Sequence, residues 1–550
     1  MIRASRFFYW CFLLVALLLP ELSFAKILFV EFSDNHSAYD NLPPFLESFA
    51  ATKANFLTQN PDGQVIIVVN GDFGGQSAYS VEKGWLGIQA LQTLAADNTV
   101  LYTLGNHDGF DFSTSDNVLV KEQLTALHQA GVQILGKNID FSDDVRDLVQ
   151  DHFEISFGKG RKLRVYGFGL EIFFRKSNWV PTGPTKVINE MRNTFDEMSS
   201  AVRESLSSGV TDLVFFAHEG FEVMKTLTQQ IQDTFETQMS QAGLRFGLVF
   251  AAHDHLQKQE NVRGANIVDS RSNYDFSTVE MDDDGKITKV RFMDAEARSQ
   301  FQGTLDRADS HLARFFREAN RALSELREKL DKVIGSCDGF SEIKANLKAG
   351  RAVLGIALAD MISKVGFELQ TQDSKFDGLP IVAFYNSSSY RLDEPFPKKI
   401  TYGLMDAIYP LAGDITVRKV TRQEMQILFE SQRRRRLLSE KNYTPQISSN
   451  LYETDDFKLN LVGENGPADA RPDDWVLLVL DAWLSKNGNK VPEWDAILNA
   501  HTPLIGKEQR RFLVEEGASS LKEFHVKDLS PEVRSSVQKR SGLRCEALYF

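Results

Sequence analysis

Cysteine is scarce, with three residues among 550. Cys11 falls within an N-terminal leader, which leaves Cys337 and Cys545 as a single pair able to close in an oxidising compartment. Two thiols cannot build a thiolate metal cage, and one bridge is no disulfide scaffold for a chain this long. An excess of positive charge is lacking too: 62 lysines and arginines stand against 75 aspartates and glutamates, a formal net charge of −13. Such a chain has no broad electrostatic footprint for a nucleic-acid polymer. A small anionic substrate would need local cations, and bound metal ions supply them. Beyond the leader no apolar run reaches the roughly 20 residues that span a bilayer, so no stable membrane span is expected after its removal. Internal repeats and long low-complexity segments are absent as well.

The leader is residues 1–25. Arg3 and Arg6 form a basic start, Phe7–Leu19 is apolar, and Ser23-Phe24-Ala25 places small residues where a signal peptidase reads. Lys26 is then the expected mature start, and the protein is expected to be periplasmic or secreted. The alternative, an uncleaved anchor, needs a longer apolar stretch than this one.

What is present is a set of five short polar motifs, each closing an apolar run. Asp34-Asn35-His36 follows Ile27–Phe32, and Gly71-Asp72 follows Val65–Val69. Gly105-Asn106-His107-Asp108 follows Val100–Leu104, His218-Glu219 follows Leu213–Phe216, and His253-Asp254-His255 follows Phe246–Ala251. Short apolar runs ending in turns predict buried strands of a sheet covered on both faces. The carboxyl ends of such strands are where α/β sheets place their sites. Five of the ten histidines collect in these motifs, and any one motif alone would read as a turn or a satisfied core histidine.

A chain of 550 residues exceeds a single core, so two or more domains are expected. Residues 26–300 alternate strand-like runs with helical stretches such as Leu46–Gln59 and Val187–Ser205, which predicts an α/β domain. Asp306–Val333 has apolar residues at helical spacing, and a linker helix is placed within 301–345. Residues 346–550 form a smaller α+β domain, with helices over Arg351–Val365 and Gln423–Glu430. Its strands are expected over Leu379–Phe384, Phe457–Val462 and Trp475–Leu480. The four arginines Arg433–Arg436 read as a solvated helix end or exposed loop rather than a phosphate patch. Residues 491–550 read as a polar, partly helical tail.

Aspartate, asparagine and histidine supply oxygen and imidazole donors, a set that suits zinc, manganese or iron. Asp34 and His36, two apart on an extended segment, would leave one face and grip one ion, and His253 and His255 share that spacing. Asp72 can bridge two ions through its two oxygens, and Asn106 adds a neutral oxygen. His107 would point the other way and be left free to donate to a phosphate or protonate a leaving oxygen. A carboxylate should orient it, and Asp108 and Asp111 are both within reach.

Together the five motifs resemble the calcineurin-like metallophosphoesterase pattern D-x-H, G-D, G-N-H-[DE], H and H-x-H. The resemblance implies a four-layer α/β sandwich holding two divalent ions. It places Asp34, His36, Asp72 and His255 on one ion and Asp72, Asn106, His218 and His253 on the other. His107 becomes the catalytic histidine, backed by an aspartate. The second half resembles the C-terminal substrate-binding domain of exported 5'-nucleotidases. Arg351–Asp360 resembles its opening helix, and Asn386-Ser-Ser-Ser-Tyr-Arg391 its N-x-G-x-x-R loop, whose arginine contacts substrate. Ile400-Thr401-Tyr402-Gly403 and the following Pro410 resemble its next segment. The implied activity is hydrolysis of small nucleotides, as a 5'-nucleotidase, a cyclic phosphodiesterase or a nucleotide-sugar hydrolase, through metal-bound hydroxide attacking phosphorus.

The chain departs from that pattern in three places. Gly105–Asp111 carries one more residue than G-N-H-E-F-D, so either Asp108 or Asp111 would support His107. Pro410-Leu411-Ala412-Gly413-Asp414 stands for P-F-G-N. Asp481–Lys490 lacks the aromatic residue that stacks on a base, a place that Tyr443 or Trp483 could fill. An altered base pocket opens two further readings. One is the same machinery acting on a non-nucleotide phosphate or sulfur ester. The other is a surface-binding protein with an idle catalytic half.

Overall fold

The computed structural model describes residues 26–508 apart from 76, 78, 80–81, 109–117, 159, 171–186, 307, 309, 337–352, 386–398, 402, 404–413, 439–445, 449–450, 454–458, 462–470, 472, 482–483 and 485–491. The leader, Cys337, Cys545, Asp111, Asn386, Arg391, Tyr443 and Trp483 lie outside the described residues. The chain divides into two compact units, one drawn wholly from residues up to Leu323 and the other mainly from Ser324 onward. Among the described residues no helix is long and apolar enough to cross a membrane.

Strands β1 (Ile27–Phe32), β2 (Gln64–Asn70), β3 (Thr99–Thr103) and β4 (Gln133–Leu135) run parallel in the first sheet of the first unit. The short β5 (Ile139–Phe141) lies outside it, and β6 (Val149–Gln150) extends the far edge. The second sheet begins with β7 (His152–Phe157) and β8 (Arg161–Phe168), and β9 (Ile188–Met191) returns to pair with β5. Parallel strands β10 (Asp212–Ala217) and β11 (Arg245–Ala251) continue that sheet, which β13 (Ala265–Ser270) and the antiparallel β12 (Gln257–Val262) complete. Finally β14 (Phe276–Met281) and β15 (Ile287–Met293) return antiparallel to the first sheet, against β1.

The two sheets face each other across an apolar core that includes Phe29, Ile66, Leu101, Val214, Phe250 and Val279. Helices α1 (Leu42–Gln59), α2 (Trp85–Ala95) and α3 (Val118–Gln129) lie with the first sheet. Helices α4 (Thr194–Leu206) and α5 (Phe221–Ala242) cover the second sheet through Val202, Met224, Ile231 and Phe235. The result is a four-layer α/β sandwich. Its central strands are buried on both faces, which is why they read as continuous apolar runs rather than alternating ones. Each of the five predicted strands is present to within one residue at either end.

One element differs from the sequence reading. The helix expected over Val187–Ser205 is a strand followed by a helix. Ile188–Met191 pairs antiparallel with Ile139–Phe141. Asn193 then caps α4, its Oδ1 accepting the Asp196 amide at 3.1 Å. The asparagine is a helix start signal that outweighs the apolar periodicity running through it.

In the second unit, described by itself, five strands form a sheet in the order Gln446–Ile447, Ile381–Tyr385, Trp475–Leu480, Asp414–Thr421, Ile505–Glu508. Helix Val353–Gln372 packs on this sheet, and Trp494, Leu428, Phe429 and Ile497 join a core with Val382, Leu478 and Val476. Arg433–Arg436 fall in the last turns of helix Arg422–Leu438. The expected tail contains helix Pro492–Ala500 and strand Ile505–Glu508.

Candidate metal centre

All five motifs sit just beyond the carboxyl ends of β1, β2, β3, β10 and β11, and the structure gathers them at one place. Three sets of potential ligand atoms each lie within 4.8 Å of one another: Asp34, His36 and His255; His36, Asp72 and His107; Asp72, His218 and His253. Asp72 and His36 each belong to two of these groups, and of the two only Asp72 has the pair of oxygens that a bridging ligand uses.

Side chains from so many strands converge because the backbone turns left-handed at the donors themselves. Asp34, His36, Asp72, His253 and His255 have φ of 50°, 47°, 51°, 71° and 56°. The extended Asp34–His36 and His253–His255 segments expected from their spacing are therefore tight turns instead. Each such residue costs on the order of 1–3 kcal/mol and persists only where its surroundings hold it. Those surroundings are backbone bonds between loops. Asp34 N donates to Gly71 O at 3.1 Å and His36 N to Asp72 O at 3.0 Å. His253 N donates to Asp34 Oδ2 at 3.0 Å. On the far side Asn273 N donates to Asp34 O at 3.2 Å, and Tyr274 N to Asn35 Oδ1 at 2.7 Å.

Two glycines make the close approach possible. A Cβ on Gly105 would stand 2.1 Å from Asp72 Oδ1 and 2.3 Å from its backbone nitrogen. Gly71, at φ +79°, faces His218 Nδ1 at 2.6 Å from the same hypothetical atom. That ring nitrogen meets Asn70 O at 2.7 Å, which turns Nε2 toward Asp72.

Asp108 is buried, and its carboxylate accepts four backbone amides: Asp72 at 2.9 Å, Phe73 at 2.7 Å, Gly74 at 3.2 Å and Gly105 at 2.7 Å. It ties the second loop to the third. His107 is held by its backbone amide, which donates to Asp72 Oδ1 at 2.7 Å, and its ring meets the His36 ring edge-on at 5.2 Å between centroids.

The donors fit divalent ions. Asn106 Oδ1 is buried with no hydrogen-bond partner, a state expensive for a polar atom unless a cation completes it, and the buried Asp34 Oδ1 and His218 Nε2 face other candidate ligands. His36 Nε2 and His255 Nε2 are 3.2 Å apart, His255 Nε2 and Asp34 Oδ1 3.3 Å, and His218 Nε2 and Asp72 Oδ2 3.1 Å. Ligands about 2 Å from a tetrahedral ion are about 3.3 Å from each other. The electrostatics agree. Burial drives His36 down to about 3, which keeps its imidazole neutral and ready to ligate. Burial opposes charge on His218, yet the Asp72 and Asp34 carboxylates outweigh it and lift this group to about 10.

The sequence reading missed the 271–274 loop, where Arg271, Asn273 and Tyr274 also adopt positive φ. No glycine or motif marks it in the sequence.

Residues 27–257 match the calcineurin-like phosphoesterase family. This segment is a calcineurin-like phosphoesterase domain, that of a metal-dependent phosphoric ester hydrolase. Among solved structures the chain resembles a 5'-nucleotidase precursor from Thermus thermophilus. Identity is 15%, coverage 90% of this chain and 96% of that one, and the TM-score 0.61. It also resembles a putative 5'-nucleotidase from Staphylococcus aureus (12% identity, 92% and 99% coverage, TM-score 0.59). A third is a sulfate thiohydrolase, also from Thermus thermophilus (12%, 91% and 95%, TM-score 0.54). At these identities the likeness is one of fold: a phosphoesterase domain followed by a further C-terminal domain. No curated protein matches the sequence.

Proposed function

We propose that the protein is an exported two-metal phosphoesterase that hydrolyses nucleotides, with 5'-nucleotidase, cyclic phosphodiesterase or nucleotide-sugar hydrolase activity. The observation that carries this reading is the sharing of Asp72 between two converging donor groups. Asp34, His36, Asp72 and His255 would hold one divalent ion, and Asp72, Asn106, His218 and His253 the other. Ions so held polarise a phosphoryl group and lower the pKa of water at the site.

The protein's own residues do the rest. His107 would donate to the phosphoryl oxygens or to the leaving oxygen, a general-acid role. Its position is set through Asp72, which accepts its amide at 2.7 Å. Asp108 keeps the second and third loops in register. Asn386, Arg391, Tyr443 and Trp483 are the residues proposed to bind the nucleotide. The assignment of residues 346–550 as the substrate domain belongs to the same reading, as does periplasmic or secreted localisation.

The test is phosphate release by the purified protein, with manganese or zinc, from AMP, UMP, 2',3'-cyclic AMP, a UDP-sugar and a generic aryl phosphodiester. Preference for one nucleotide is the expected result. Turnover of the generic ester alone would confine the reading to the phosphoesterase chemistry and remove the nucleoside. No turnover in any arm, with both metals bound, would overturn it.

A further inference from the structure

Helix α5 begins directly after His218-Glu219-Gly220, and its N-cap residue is Gly220, whose missing side chain gives no cap. The first amides of a helix need acceptors. Here the acceptor comes from elsewhere in the chain. Asp254 Oδ2 accepts the Phe221 amide at 2.9 Å. A Cβ on Gly220 would stand 2.4 to 2.7 Å from three atoms of the Asp254 carboxyl group, so only glycine lets the carboxylate in. Two residues earlier in each loop, Ala252 N donates to Glu219 O at 3.0 Å. The parallel pairing of β10 with β11 ends at Phe216 and Phe250. Beyond it, these two bonds carry the connection between the loops.

Asp254 lies between His253 and His255, which adopt φ of 71° and 56°. A turn with two left-handed residues, neither of them glycine, reverts unless it is tied down. His253 is tied by its amide to Asp34. Asp254 ties the centre of the turn to the helix that follows His218.

We propose that Asp254 is a positioning residue of the metal centre. By capping α5 it locks the His253–His255 turn to the His218 loop, and so fixes His218 and His253 at the spacing that one ion requires. This rests on the two-metal reading above. The chemistry of the link is a hydrogen-bonded cap, so an acceptor is what matters at residue 254, and a net charge is not. Asparagine caps helices about as well as aspartate, and alanine does not.

The experiment measures metal content and affinity of the purified full chain, using manganese and zinc against a competing chelator. Wild type, Asp254→Ala, Asp254→Asn and Gly220→Ala are compared. Thermal midpoints of the metal-free proteins are taken alongside. The expected result is two ions on wild type and a 10–100-fold loss of affinity for one of them in D254A, the size of effect that outer-shell partners of metal ligands show. Gly220→Ala, which displaces the carboxylate without altering residue 254, should lose affinity in the same way. Asp254→Asn should restore it, and KM at saturating metal should be unchanged in every variant. If D254A lowers the metal-free midpoint yet binds both ions with wild-type affinity, the cap is structural only and the inference is overturned. If D254N is as weak as D254A, charge rather than capping acts here, and it is overturned again. Wild type that takes up no divalent ion sinks the two-metal reading itself. Wild type with two ions and an unaffected D254A sinks this inference alone.

Discussion

Asp108 Oδ2 accepts the backbone amide of Asp72 at 2.9 Å and that of Gly105 at 2.7 Å. One buried carboxylate therefore joins the loop after β2 to the loop after β3, and the bridging ligand candidate hangs from that join. Asp108→Ala leaves four buried amides without their acceptor. Breaking a buried network of this kind costs on the order of 3–5 kcal/mol. The expected outcome is a large drop in the chemical-denaturation midpoint of the metal-free protein, with Asp108→Asn intermediate. An unchanged midpoint would show that water or a neighbouring acceptor replaces the carboxylate.

Gly105→Ala should be more damaging at the site than in the fold. The added Cβ meets both the carboxylate and the backbone nitrogen of Asp72, and backbone cannot move aside cheaply. We expect a loss of metal affinity of about 100-fold or more, on the scale of disrupted ligand support, in a protein whose circular dichroism stays native. Wild-type affinity in that variant would mean that the loops separate without disturbing Asp72.

The division of labour between Asp72 and His107 can be read from two variants. Asp72→Ala should lose metal binding and phosphate release together. His107→Ala should keep its metals and lose about 10²–10⁴-fold in kcat, the range for a missing general acid. Metal loss in the histidine variant would move His107 from proton donor to ligand, a place its grouping with His36 and Asp72 allows.

Asp269, at the end of β13, is pushed up to about 8, chiefly by burial, with the Asp34 and Asp254 carboxylates adding to the shift. A folded-state value above the unfolded one means that the group's stabilisation is complete below about pH 4 and is lost as pH rises toward 8. In metal-free protein, stability should therefore decline over that window. Asp269→Asn, which keeps the oxygen that accepts the Arg271 amide, should flatten the decline and gain on the order of 1–3 kcal/mol at pH 8. Urea midpoints from pH 5 to 8 measure this, and parallel curves for the two proteins would assign the pH dependence elsewhere.

Much of the first domain was legible in the chain. The five apolar runs named their strands because those strands are covered on both faces, and burial of that kind leaves no polar alternation to confuse the reading. The motifs named their donors because ligand chemistry admits few residue types. Reading stopped where a local signal met a longer-range partner. Ile188–Met191 looked helical by periodicity, and its strand pairing with Ile139–Phe141 depends on a segment nearly fifty residues away.

What the sequence determined by itself is the chemistry: which strands end in which donors, in what order, and with what charge. What only the tertiary structure decided is the geometry that makes the donors one site. The left-handed turns at Asp34, His36, Asp72, His253 and His255 are held by contacts across the chain, from Gly71, Gly105, Asp108, Asn273 and Tyr274. Side chains two apart were expected to converge by strand alternation. They converge instead because loops from separate strands impose on each other a backbone conformation that none of them would hold alone.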